Sequence, residues 1–279
     1  AAAEERRRAE RRFKDAEEAA GISDAERAAY IAEAKTLKAF YYLQLWKFWG
    51  NVPYYEKNLE FPYIAEQLSA NEVYNKVIAM LEEVINSKAL PMKETKTRCG
   101  HATQAFAEML FADYVMYQKD ENRYQQALGY MEDIISSTKY SLMSDYASIW
   151  EYSGEWCDES IYEINYCAKG SKRGWGNANA PGGTVVPAMI GIDGLSYKAS
   201  DAHLAADPNS PKQELNGGWG FCDVSKEVYD LYEQNDIRRT GGILYMKDYA
   251  ADYKARTGDD VTYGGRYQNT GIFLLKYLG

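Results

Sequence analysis

The sequence is poor in the residues that most catalytic and metal chemistry needs. It has two histidines, His101 and His203, and four cysteines, Cys99, Cys157, Cys167 and Cys222, in 279 residues. The cysteines stand far apart with no CxxC pair, which argues against a zinc ribbon or a thioredoxin-type dithiol; two disulfides in any of three connectivities, or free thiols, stay open. The histidines share no ligand-like spacing with each other or with cysteine, so no metal site and no cofactor is expected, and His101 reads as a helix-start residue. There is no Gly-x-Ser-x-Gly elbow, and the paired glycines Gly182-Gly183 and Gly264-Gly265 lack the strand-to-helix setting of a phosphate loop. Net positive charge is missing as well. A formal net charge of −9 and a pI near 5.0 argue against nucleic acid or an anionic membrane surface as partner. No apolar run approaches the ~20 residues that span a bilayer, and the opening AAAEERRRAERR has no Met, n-region or apolar h-region. The chain as given is expected to be soluble.

Aromatic rings are abundant instead: 25 Tyr and 6 Trp. They join a flat apolar face to a polar tip and suit cores, interfaces and sugar-like ligands alike. Acidic residues are also plentiful. Asp259-Asp260, Glu155 and Asp158-Glu159 could supply the carboxylate pair of a glycoside hydrolase, but among 41 acidic residues such pairs arise by chance, and no catalytic residue is assigned.

Residues 1–20 balance Glu and Asp against Arg and Lys and predict a helix with a mostly solvated surface. Ser23 with Glu26, and Ser69 with Glu72, have capping-box spacing and open two helices, one running to about Trp49 and the other closed by Pro91. In the first, Ala34, Leu37, Tyr41, Leu45 and Phe48 share a face that Phe40, Leu43 and Trp46 widen, so most of its rings are expected in a core. Gly50 and Pro53 predict a sharp exit at WGNVP. Two further helices, Ala102–Gln118 and Arg123–Ser137, flank the turn KDEN; Tyr124, Ala127, Met131 and Ile134 have the spacing of a tetratricopeptide second helix. A single such repeat cannot bury its own face, so the earlier helices are its expected neighbours. Beyond Tyr140, residues 159–166 alternate like a strand, 169–222 read as a long Gly-, Asn-, Pro- and Trp-rich loop region, Val224–Gln234 as a helix and 240–279 as irregular.

Four stretches in this order, EAKTLKAFYYLQLWKFWGNVPYYE, YQQALGYMEDIISSTKYSLMSDYASIW, SIYEINY and VSKEVYDLYEQNDIRR, resemble the SusD/RagB family of Bacteroidetes outer-membrane nutrient-binding lipoproteins. The resemblance runs from about Ala25 to the end. Asn51 stands where the family has Asp, and Ile237 where it has Pro; the chain has no lipobox cysteine and about half the usual family length. The resemblance implies a mainly α fold of tetratricopeptide-like helical repeats with long inserted loops and little β. It implies one SusD-like domain that is incomplete here, with a helical scaffold over about 22–140 and a loop-rich ligand-binding region over about 141–279. It also implies no catalysis, but capture of an oligosaccharide at the outer-membrane surface and delivery to a SusC-like TonB-dependent transporter, with membrane association through an N-terminal lipid anchor.

Sugar binding needs an aromatic platform flanked by amides or charged donors. KGSKRGWGNANAPGG offers Trp175 with Asn177, Asn179, Lys172 and Arg173, and NGGWGF offers Trp219 with Asn216, chosen on composition and placement. The rival reading is a tetratricopeptide groove that holds a peptide or protein, including peptide uptake by a RagB-like relative. Solvent-facing Trp175 and Trp219 would favour sugar.

Overall fold

The computed structural model describes residues 21–59, 61, 63–165, 185–206, 211–265 and 269–278. The charged segment 1–20 lies outside them. The chain divides into two compact units, residues 1–142 with 158–163, and residues 143–157 with 164–279.

The first unit is built from four helices: α1 (Asp24–Trp49), α2 (Ala70–Ser87), α3 (Gln104–Gln118) and α4 (Tyr124–Ser136). Both expected capping boxes are present. Glu26 and Glu72 donate their main-chain N–H to Ser23 and Ser69 Oγ at 3.2 and 3.4 Å, and their carboxylates accept from the serine N–H groups at 2.9 Å. Each cap is worth about 1 kcal/mol. The α3–α4 hairpin has the tetratricopeptide pattern, with Ala127 and Ile134 buried on α4, and Ala105 and Ala107 buried on α3 where small side chains permit close approach. All four helices meet in one core that includes Tyr42, Trp46, Val77, Leu81, Phe111 and Tyr114.

The buried face of α1 matches the expected one at Ala34, Leu43 and Trp46, with Leu37, Phe40 and Leu45 packed against the core, and departs from it at Ala39, Tyr42 and Phe48. Ala39, Tyr42, Leu43 and Trp46 are buried, whereas Phe48 and Trp49 are 75% and 66% exposed. A helix apolar on most sides has no unique inner face in its periodicity, and the approach of α2 and α3 chooses it. Inside, Trp46 lies between Tyr74 and Tyr114 at centroid distances of 5.9 and 5.3 Å and donates Nε1–H to Ala70 O at 3.0 Å. Gly50, at φ 66°, then ends the helix, a left-handed conformation that favours glycine. The strands β1 (Val52–Pro53) and β2 (Gln67–Leu68) pair antiparallel beside it, and Asn51 Oδ1 accepts the Ala70 N–H at 2.9 Å, an otherwise unpaired first-turn donor of α2. Gly50 to Pro53 of the WGNVP turn are therefore scaffold, with Trp49 left exposed.

Residues 159–165 form no strand. A strand needs a ladder partner, and here Ile161 and Tyr162 pack on the helical core instead, Tyr162 stacking on Phe106 at 4.0 Å.

The second unit uses short elements: helices α5 (Val186–Ile190), α6 (Asp201–Ala206), α7 (Lys226–Leu231), α8 (Ile237–Gly242) and α9 (Met246–Thr257), and strands β3 (Ile192–Asp193), β4 (Ser196–Lys198), β5 (Gly217–Gly218), β6 (Ile243–Tyr245), β7 (Asp260–Thr262) and β8 (Ile272–Leu274). β3 pairs parallel with β5; β4 with β7, and β6 with β8, pair antiparallel. α7 is shorter than the helix expected over Val224–Gln234, since Ser225 caps it and Tyr232 is already extended. The stretch 240–279, expected to be irregular, holds α9 and three strands. α9 escapes a periodicity search because it buries only Met246 and Tyr253. Two small cores hold the unit, one around Ile192, Met246, Tyr253 and Phe273, the other around Val224, Ile243 and Ile272.

Candidate functional site

The segment 216–224 organises the second unit's aromatic surface. Its glycines are there for space: a Cβ on Gly218 would lie 2.5 Å from Ala188 O and 2.6 Å from Gly191 Cα. With none, β5 lies against α5 and its exit is stapled by main-chain hydrogen bonds, Trp219 N to Ala188 O at 2.7 Å, Gly220 N to Gly191 O at 2.8 Å and Phe221 N to Met189 O at 2.9 Å. Trp219 is half-buried and meets the exposed Phe221 edge-on at 5.9 Å. Asn216 is exposed and donates its main-chain N–H to Leu278 O at 2.8 Å. Trp175, Asn177, Asn179, Lys172 and Arg173 lie outside the described residues.

Further along, the same segment enters a cleft of about 400 Å³. Tyr146 and Trp150 form one wall, their rings edge-to-face at 5.9 Å and 73°. Gly242 lets Tyr146 approach, since a Cβ there would meet the ring at 3.0 Å. Trp150 is 42% exposed, and Lys276 Nζ sits 4.6 Å above its ring and 5.1 Å from that of Tyr277. Asp223 and Val224 are held by β8 and the residues before it: Val224 N donates to Ile272 O at 2.8 Å, Thr270 N to Asp223 Oδ2 at 3.0 Å and Thr270 Oγ1 to Val224 O at 2.6 Å. Asp223 Oδ1 is buried and accepts no hydrogen bond among the described residues. Burial pushes the Asp223 carboxyl up, opposed by the Thr270 N–H. Across the cleft Arg238 lies 5.5 Å from the Tyr232 ring and grips Asp236 through Nε and Nη2 at 2.9 and 2.6 Å; hydrogen bonding to Arg238 holds the Asp236 carboxyl down to about 2.

Sequence reasoning missed this cleft. Tyr146 and Trp150 stand four residues apart in a short stretch without helical periodicity, which was the available signal; Asp223 and Lys276 carry none.

The carboxylates considered for catalysis have other partners. Asp259 is buried, accepts from Ser200 N at 2.8 Å and pairs with His203 Nδ1 at 2.8 Å, and Asp260 pairs with Lys254 at 2.6 Å. Ser200 Oγ accepts the His203 main-chain N–H at 3.2 Å, which caps the turn into α6. Among the described residues no cluster of three or more His, Cys, Asp or Glu is grouped to hold a metal, Cys99 and Cys222 are free thiols, and no helix is long and apolar enough to cross a membrane.

The fold aligns with surface glycan-binding protein A of Bacteroides thetaiotaomicron, solved in complex with laminarihexaose, at TM-score 0.81 and 40% identity, over 99% of this chain and 55% of that one. The chain is SusD-like. Residues 7–99 of this SusD-like chain match the family described as starch-binding and associating with the outer membrane. A laminarin-binding SusD-like protein is 25% identical, with TM-score 0.76, over 98% of this chain and 56% of its own. A curated SusD-like protein of Formosa agariphila is 22% identical over 243 residues, 80% of this chain and 44% of the relative. The SusD-like chain thus spans about half the length of the relatives it matches, and both solved relatives are glycan-binding proteins. Ile237, in place of the family's Pro, leaves its Asp-x-Arg pair intact: Asp236 caps α8, accepting the Arg238 N–H at 2.9 Å, and holds the guanidinium.

Proposed function

We propose that this protein binds oligosaccharide or polysaccharide without catalysis and hands it to a SusC-like TonB-dependent transporter. The observation that carries the reading is 40% identity along 99% of the chain with a surface glycan-binding protein solved with laminarihexaose. A glucan of laminarin type is the ligand class that both solved relatives support. The whole described chain belongs to one SusD-like domain, a helical scaffold over about 22–140 and a ligand-binding region over about 141–279, anchored to the outer membrane by lipid and facing outward.

Binding rests on stacking and a few polar contacts. The apolar faces of a pyranose lie on Trp175 and Trp219, and Asn177, Asn179, Arg173 and Asn216 hydrogen-bond its hydroxyls. Each ring contributes on the order of 1 kcal/mol beyond the area it covers, so affinity per sugar is modest, which suits release to a transporter.

Isothermal calorimetry of the protein with laminarihexaose, maltohexaose and a mixed peptide panel tests this reading. Saturable binding of laminarihexaose, weakened by Trp175→Ala or Trp219→Ala in protein that unfolds at the wild-type urea midpoint, is the expected result. Peptide binding with no binding of either glycan overturns it in favour of a helical groove.

A further inference from the structure

The cleft around Trp150 has two features that the packing of the second unit does not use. A large ring is left 42% exposed on one wall, and a carboxylate with a buried, unpartnered oxygen stands in the lining. A core position gains nothing from an unsatisfied acceptor, whose burial costs about 1–3 kcal/mol. A ligand that brings a hydrogen-bond donor removes that cost.

The charges indicate which ligand. Arg238 is neutralised by Asp236, and the charge of Lys276, which lies by two ring faces, is offset in the same lining by the Asp223 carboxylate, so the cleft presents no net positive site for an anion. Asp223 is a single carboxylate set against these cations, which disfavours a cationic guest. A neutral molecule with one flat apolar face and a rim of hydroxyls satisfies the features together. Its C–H face covers Trp150, a hydroxyl donates to Asp223, and another accepts from Lys276 Nζ. The Asp χ2 torsion is soft, so a modest turn of the carboxylate brings Oδ1 towards the guest. The volume of about 400 Å³ lies at the low end of the range of roughly 300–1,000 Å³ for small-molecule pockets.

We propose that the cleft bounded by Trp150, Asp223 and Lys276 is a binding site for one neutral pyranose ring, additional to the Trp219 platform. This rests on the glycan-binding reading above, because it adds a subsite to it.

The test uses calorimetry and tryptophan fluorescence on the wild type, Trp150→Ala, Trp150→Phe, Asp223→Asn and Trp219→Ala, with laminaribiose and laminarihexaose as probes. Asp223→Asn keeps the shape but puts an amide where the acceptor stood. We expect laminaribiose binding to weaken about tenfold or more in Trp150→Ala and about fivefold in Asp223→Asn, and to persist in Trp219→Ala. If Trp150→Ala does not fold, Trp150→Phe decides: it keeps an aromatic face and binds within about threefold of wild type, but the ligand-induced fluorescence change shrinks. Wild-type affinities in both Trp150→Ala and Asp223→Asn, or an unaltered fluorescence response in Trp150→Phe, overturn the subsite, while weakened laminarihexaose binding in Trp219→Ala keeps the glycan reading. No binding of either sugar by the wild type overturns both.

Discussion

The two units spend the same kind of residue differently. In the first, the rings at the helix contacts are fixed inside, although Trp49 stays exposed: Trp46 is sandwiched by Tyr74 and Tyr114, and Tyr42 Oη accepts from Tyr55 N at 3.0 Å while donating to Pro53 O at 3.2 Å. In the second, Trp150, Trp219 and Phe221 remain half-buried or exposed on segments held by main-chain hydrogen bonds and glycine contacts. Long helices can carry rings inward at regular intervals and share one core. In the second unit Tyr253 and Phe273 are buried in its small core, but the segments between the short strands leave Trp150, Trp219 and Phe221 wholly or partly accessible to a ligand. Aromatic abundance alone therefore says nothing about function until the supporting backbone is known.

The contrast can be broken by moving a ring or its support. Trp46→Ala should cost about 3–5 kcal/mol in urea unfolding, and under conditions where the variant stays folded its glycan affinity should equal that of the wild type. A matching loss of affinity would mean that the first unit's rings touch ligand. Gly218→Ala should cost about 1–3 kcal/mol, since its new Cβ meets main-chain atoms of Ala188 and Gly191, and it should also weaken laminarihexaose binding because the displaced segment carries Trp219.

Buried carboxylates sharpen the comparison through opposite responses to pH. In the first unit burial pushes the Glu108 carboxyl up, against hydrogen bonding from Gln104 and the nearby charge of Lys88. A raised folded pKa contributes stability below the unfolded value of about 4.3, and that contribution is lost as pH rises through the folded value. Glu108→Gln should therefore stabilise the protein at neutral pH by about 1 kcal/mol and do progressively less towards pH 4, measured by urea unfolding across pH. In the second unit the Ser200 N–H, then the Ser200 hydroxyl and the charge of His203, hold the Asp259 carboxyl below its ordinary range. That contribution is present above the unfolded value of about 3.9 and disappears as pH falls through the folded one. Asp259→Asn should destabilise at neutral pH and approach the wild type in acid.

The smallest expected effect concerns the turn. Asn51 Oδ1 already caps the start of α2, so Asn51→Asp, which restores the residue seen in the family, should add a few tenths of a kcal/mol through the helix dipole and leave glycan binding unchanged in calorimetry.

The sequence by itself determined the four helices of the first unit, both capping boxes, the Gly50 exit and the tetratricopeptide hairpin. Each follows from local rules: side-chain caps a few residues away, 3.6-residue periodicity, and glycine's tolerance of positive φ. It also offered Trp219 and Asn216 of a glycine-rich segment as candidate binding residues, of which Asn216 is exposed and Trp219 half-buried. Tertiary structure decided the rest. It alone set the exact inward side of the aromatic-rich α1 and left Phe48 and Trp49 outside. It put Tyr162 on Phe106 in place of a strand, and paired His203 with Asp259, 56 positions apart. It brought Trp150, Asp223 and Lys276 around one cleft, although they come from three separate stretches of the chain. Long-range pairing of short strands and close approach through glycine set these positions, and neither leaves a periodic signal in the residues themselves.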